Sequence, residues 1–146
     1  MEKFSTMAEI FDDRKDLSLS PLAQDEILAL SERGIDYRFI LDLSTEFPIL
    51  VQELAWLLHI KEPELIAVLR NEKSLGQKTS ARLIALTEVF LISKEIFNTE
   101  KKFIEWLASR PQVFNGIRPI DYLSKELEDI RRVREILGRI KHGTYS

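Results

Sequence analysis

Residues 50–70 read LVQELAWLLHIKEPELIAVLR. Leu50, Val51, Leu54, Leu57 and Leu58 recur at three- and four-residue intervals, the spacing that gathers apolar side chains on one face of an α-helix. The pattern breaks over His59-Ile60-Lys61-Glu62, and Pro63 restarts it, since proline is tolerated in the first helical turn. Leu65, Ile66, Val68 and Leu69 carry the second helix. Two short striped helices about a brief break make a helical hairpin.

The same grammar extends both ways. Upstream, Pro48 opens the first helix of the hairpin. Asp36 caps a helix carrying Phe39, Ile40 and Leu43. Before it, Ser20 as N-cap and Pro21 at the first helical position start a helix through Leu22, Ile27, Leu28 and Leu30, which Gly34 ends. Residues 1–19 are polar and acidic with a few apolar residues, and read as a loose arm or a short helix. Downstream, Asn71 to Gly76 is a polar loop, and a long helix covers about 78–97. Leu83, Leu86, Val89, Phe90, Ile96 and Phe97 form its core stripe. Ile84 and Leu91, seven apart, lie on another face, either as a dimer or partner contact or packed beneath the N-terminal helices. Thr99-Glu100 caps a helix with Phe103, Trp106 and Leu107; Pro111 ends it and Asn115-Gly116 turns the chain. Pro119 starts a short helix through Leu123, and a last helix carries Leu127, Ile130, Val133, Leu137 and Ile140 up to Gly143. With strand-like alternation scarce throughout, the fold class is all-α.

Composition removes several function classes. The 146 residues include no Cys and two His, His59 and His142, so a disulfide framework, a thiolate site and a His-rich metal cluster are all excluded. No metal or other cofactor is expected. No uncharged apolar run approaches the ~18 residues of a membrane span, and the N-terminus has no apolar signal core, so a cytoplasmic protein without a membrane partner is expected. Phosphate-cradling loops, a nucleophile elbow and a zinc-protease motif are missing, and the chain is not expected to be an enzyme.

Charge is unevenly placed. Residues 1–76 hold 8 Lys/Arg against 15 Asp/Glu, and residues 77–146 hold 13 against 9. The hairpin has helix-turn-helix spacing, in which a second helix can enter a DNA major groove. Its basic residues are Lys61, Arg70 and Lys73, the candidate DNA contacts, but Glu62 and Glu64 at the start of the second helix oppose phosphate. The other constellation is the C-terminus, where Arg131, Arg132, Arg134, Arg139 and Lys141 face a single acid, Glu135, within 131–141.

The wording of that end is specific. Trp106-Leu107, Pro111, Phe114-Asn115-Gly116, Arg118 to Leu123 and above all Leu137-Gly138-Arg139-Ile140-Lys141-His142-Gly143-Thr144-Tyr145-Ser146 resemble the C-terminal toxin-binding region of Xre-type antitoxins from RES–Xre toxin–antitoxin pairs. The resemblance covers about residues 21–146 and is strongest in the last fifty. Behind the acidic N-terminal arm read from the residues at 1–19, it implies an Xre-like helix-turn-helix domain at 20–76 and a connecting helix with a toxin-binding domain at 77–146. It implies an antitoxin that neutralises a neighbouring, NAD-consuming RES toxin by inserting its C-terminal tail at the toxin's active site. A homodimer, operator DNA and repression of its own operon are implied partners and roles. The toxin-binding set would be Arg139, Lys141, His142, Gly143, Thr144, Tyr145 and Ser146. The alternative is a helix-turn-helix regulator with no toxin partner. The sequence departs from the family in its acidic second helix, where Glu62 and Glu64 oppose the phosphates of an operator.

Overall fold

The computed structural model describes residue 11, residues 22–47 and residues 49–143. Ser20, Pro21 and Pro48, all of the arm except Phe11, and Thr144, Tyr145 and Ser146 lie outside the described residues. Within them the fold is all-α, as expected. Helices α1 (Gln24–Glu32), α2 (Tyr37–Glu46), α3 (Val51–Leu58), α4 (Glu62–Arg70) and α5 (Gln77–Ile96) are followed by α6 (Glu100–Ala108). A 3-10 turn (Gln112–Phe114), α7 (Pro119–Leu123) and α8 (Leu127–Lys141) complete the order. Among the described residues no strand forms, and one antiparallel bridge joins Asp36 to Ser74.

Helix starts follow two rules. The Asp36 side chain accepts from the Arg38 amide at 3.0 Å, and Thr99 Oγ1 accepts from the Lys102 amide at 3.2 Å. Elsewhere the cap position has no such acceptor, and an acid in the first turn reaches back instead. Glu26 accepts from the Ala23 amide at 3.0 Å, Glu53 from Leu50 at 3.2 Å, and Asp129 from Glu126 at 3.0 Å. Each is one half of a capping box. Accordingly α1 starts at Gln24 behind Ala23, later than the Ser20-Pro21 reading placed it.

Two compact units result, and the boundary falls inside α5 between Ile84 and Ala85. In the first unit α3 packs on α4, and α4 packs on α2. The α4–α5 loop is stitched to the α1–α2 loop: the Tyr37 amide donates to the Lys73 carbonyl at 3.0 Å and the Leu75 amide to the Ile35 carbonyl at 2.9 Å. Ser80 seals the stitch from below. Its hydroxyl donates to the Leu75 carbonyl at 3.2 Å and accepts from the Ile35 amide at 2.8 Å. Phe11 is buried in this unit, its ring 6.4 Å from that of Phe39.

The second unit packs α6 on α7 and α7 on α8. A row of rings runs through it: Phe90, Phe103, Phe97, Trp106, Phe114 and Tyr122, with successive centroids 4.6 to 6.2 Å apart. Such tilted and edge-on pairs add to the area they bury.

Helix α5 departs from the striped pattern. Every residue from Ser80 to Phe90 is buried, polar ones included. A helix apolar on one face alone would leave the other to water. Ile84 is fully buried within the chain and Leu91 half-buried. Of the two candidate partner-face residues, Leu91 thus keeps part of its surface exposed and Ile84 keeps none. No described helix is long and apolar enough to cross a membrane.

Candidate functional site

The C-terminal end of α8 is built from a buried half and an exposed half. Ile130, Val133, Ile136, Leu137 and Gly138 are buried, and Arg134 with them. Arg132, Glu135, Arg139, Lys141 and His142 are exposed. Arg139 pairs with Glu135 one turn back, the spacing at which helix side chains meet. Lys141 Nζ donates to the Glu95 carbonyl at 3.5 Å, placing a cation on the last turn of α5, where carbonyls lack helical partners.

The helix closes in two steps. The His142 amide donates to the Gly138 carbonyl at 3.1 Å and the Gly143 amide to the Ile140 carbonyl at 3.0 Å. Gly143 has φ +75°, the left-handed conformation that ends helices and that glycine adopts without steric cost. Arg139, Lys141, His142 and Gly143 thus sit together on one exposed helix end. Thr144, Tyr145 and Ser146, which follow directly, are outside the described residues.

The residues upstream that carried the resemblance form the scaffold. Trp106 lies between Phe97 and Phe114, at 5.7 and 6.2 Å. Asn115 and Gly116 take consecutive positive φ angles, 54° and 82°, and Arg110 Nη1 donates to the Gly116 carbonyl at 2.7 Å. Arg118, at the cap of α7, grips Asp121 through Nε at 2.9 Å and Nη2 at 3.1 Å. These bonds from Arg118 hold the Asp121 carboxyl below the ordinary carboxylate range.

The hairpin is the other candidate. Its first helix has 8 residues and its second 9, joined by His59, Ile60 and Lys61. His59 takes φ +62°, the left-handed turn that swings the second helix across the first. Lys61, Arg70 and Lys73 are all exposed. Lys61 and Arg70 mark opposite ends of α4, about 13 Å apart at 1.5 Å per residue. Between them the outward positions are Glu62, Pro63, Glu64, Ile66 and Ala67. Groove readers present donors and cations there, and this helix presents acids and apolar groups. Sequence reasoning missed Arg82, a buried cation within α5 that bonds the end of α3. It also missed the outward turn of Ile66, because apolar periodicity does not say which apolar residue lies off the stripe.

The comparison with curated proteins found no match. The comparison with family models found one over residues 93–143, from the last turn of α5 to the glycine that closes α8: the antitoxin Xre/MbcA/ParS C-terminal toxin-binding domain. The C-terminal third of this chain is similar to the toxin-binding domain of those antitoxins.

Proposed function

We infer that this chain is a cytoplasmic antitoxin that binds and neutralises an NAD-consuming toxin of the RES type, directing the end of α8 into the toxin's active site. The observation that carries the reading is the toxin-binding family match, which ends on the exposed, cationic close of α8. A tail fixed to a rigid helix reaches a pocket with little ordering cost. Arg139 and Lys141 form the rim of the contact, suited to an anion-binding mouth. His142, Gly143, Thr144, Tyr145 and Ser146 form the insert. The chain works as a homodimer and can repress its own operon when the toxin complex supplies further basic surface.

The test is cellular NAD in a host expressing the neighbouring toxin with the full chain, without it, and with the chain cut after Lys141. Rescue by the full chain alone supports the plug. Rescue by both forms moves inhibition to the helical surface. No effect of the neighbour on NAD overturns the RES assignment.

A helix-turn-helix regulator is the second reading, favoured by the lengths of α3 and α4 and by the left-handed His59 between them. A salt-dependent gel shift on the upstream DNA separates the two, since phosphate contacts weaken steeply with salt. Absence of a shift at low salt, with and without toxin, removes the repressor role.

A further inference from the structure

The face of α4 that would read DNA has a chemistry of its own. At 3.6 residues per turn, Glu62, Ile66, Arg70, Pro63 and Ala67 fall within an arc of about 140°. All five are exposed, and the opposite side holds the fully buried Leu65. The arc has an acid at its first residue, a cation at its last, and an apolar centre in Ile66 with small or short neighbours in Pro63 and Ala67.

That arrangement is complementary to itself when reversed. We propose that α4 is the self-association surface of this chain, pairing antiparallel with α4 of a second copy about a two-fold axis through Ile66. The homodimer is part of the functional reading above, and the surface that makes it is the new assignment. In that register residue 62 of one copy stands opposite residue 70 of the other, and Ile66 meets its own counterpart. Each pairing occurs twice, as a two-fold interface requires. Antiparallel alignment also sets the N-terminal end of each helix dipole beside the C-terminal end of the other. Ala67 and Pro63 leave room for the helices to approach. The same face cannot lie in a major groove while it is paired, which accounts for an acid and an apolar patch at the groove-reading positions.

A single 9-residue helix face is smaller than the ~800 Å² per partner of a standard interface, so the association is weak and concentration-dependent. Sedimentation equilibrium of the full chain over a hundredfold concentration range reads it directly. Glu62→Arg and Arg70→Glu each set like charges opposite each other twice, and each should weaken the dimer on the order of tenfold. The double variant Glu62→Arg/Arg70→Glu should return to within about twofold of the parent, which a loss of folding would not do. Ile66→Glu, with two carboxylates on the axis, should leave monomer alone. Circular dichroism should show all four folded at the working temperature, the three positions being exposed, with the charge-reversed variants melting slightly below the parent because each puts the wrong sign at an end of α4. A parent that stays monomeric overturns both the homodimer and its surface. A parent that dimerises, with unaffected single variants or a double variant no tighter than the singles, overturns the α4 surface and leaves the homodimer standing.

Discussion

The Arg82 guanidinium donates twice to the Leu57 carbonyl, from Nε at 3.0 Å and from Nη2 at 2.7 Å. Leu57 belongs to the last turn of α3, whose carbonyls have no helical amide to receive them. The next two amides are already engaged: His59 donates to Trp56 at 3.2 Å and Ile60 to Ala55 at 3.1 Å. The left-handed turn at His59 thus leaves Leu57 to a side chain from α5. A buried cation at that end also complements the helix dipole. This contact ties the first turns of α5 to the hairpin.

Arg82→Leu should therefore destabilise the chain by about 2 kcal/mol, the worth of a charge-assisted hydrogen bond plus the cost of an unmet buried acceptor. Urea unfolding followed by circular dichroism measures it. Arg82→Lys should recover only part of the loss, because an ammonium does not reproduce the forked contact. A change below about 0.5 kcal/mol for the leucine variant would mean that water replaces the guanidinium at Leu57.

Gly34 and Gly143 offer a matched pair. Both have positive φ, +77° and +75°. A Cβ at Gly34 would sit 2.6 Å from the Leu75 carbonyl oxygen, a backbone atom held by the loop stitch, whereas a Cβ at Gly143 meets nothing within 4 Å. Gly143→Ala then costs only the left-handed backbone, about 1–2 kcal/mol at that helix end. Gly34→Ala adds the displacement of a packed loop and should exceed it by at least about 1 kcal/mol. Thermal melts of the two variants side by side decide this, and equal losses would show that the loop yields.

Most of the helices were legible because their apolar residues keep helical spacing and their breaks hold proline, glycine or asparagine. Asp36 and Thr99 cap as read. The start of α1 was not legible, because Ala23 carries no cap acceptor and Glu26 supplies the bond from the far side. Helix α5 was misread for a different reason. A stripe model assigns Arg82, Thr87 and Glu88 to water, whereas all three are buried, and the Arg82 partner, Leu57, is distant in sequence. At the C-terminal site, Gly143 announced the turn that ends α8, while the tether from Lys141 to Glu95 spans 46 positions and leaves no local signal.

The Arg118–Asp121 pair gives α7 an acid-sensitive start. Its hydrogen bonds from Arg118 depress the Asp121 pKa in the folded chain. A depressed carboxylate contributes stability that is present above its unfolded pKa, about 3.9, and is lost as pH falls through the folded value. The pair is partly exposed, so solvent screening keeps the contribution small. Carbon-detected NMR titration should place the Asp121 midpoint below that of an unstructured aspartate. Asp121→Asn should flatten the acid limb of the stability curve without changing its plateau shape above about pH 5. A midpoint at or above the ordinary value would mean that the two side chains part in solution.

The direction in which the tail leaves α8 is separable from its presence. Gly143 is the residue whose left-handed φ sets how the chain leaves α8, and it lies next to the exposed His142. A β-branched residue there resists that conformation more than alanine does, because its side chain crowds the backbone. Gly143→Val should therefore let the helix end fray or redirect, at a stability cost no smaller than that of Gly143→Ala but with no disturbance of the core, since an added Cβ meets nothing within 4 Å there. If inhibition needs residues 142–146 presented along one direction, Gly143→Val should weaken toxin binding at least about tenfold, almost as much as cutting the chain after Lys141. His142→Ala, which leaves the turn intact, should cost less. Isothermal titration of purified toxin with each variant ranks them. If Gly143→Val binds like the parent while the truncation fails, the tail acts as a flexible peptide, and its affinity arises from its own contacts instead of from the way α8 aims it.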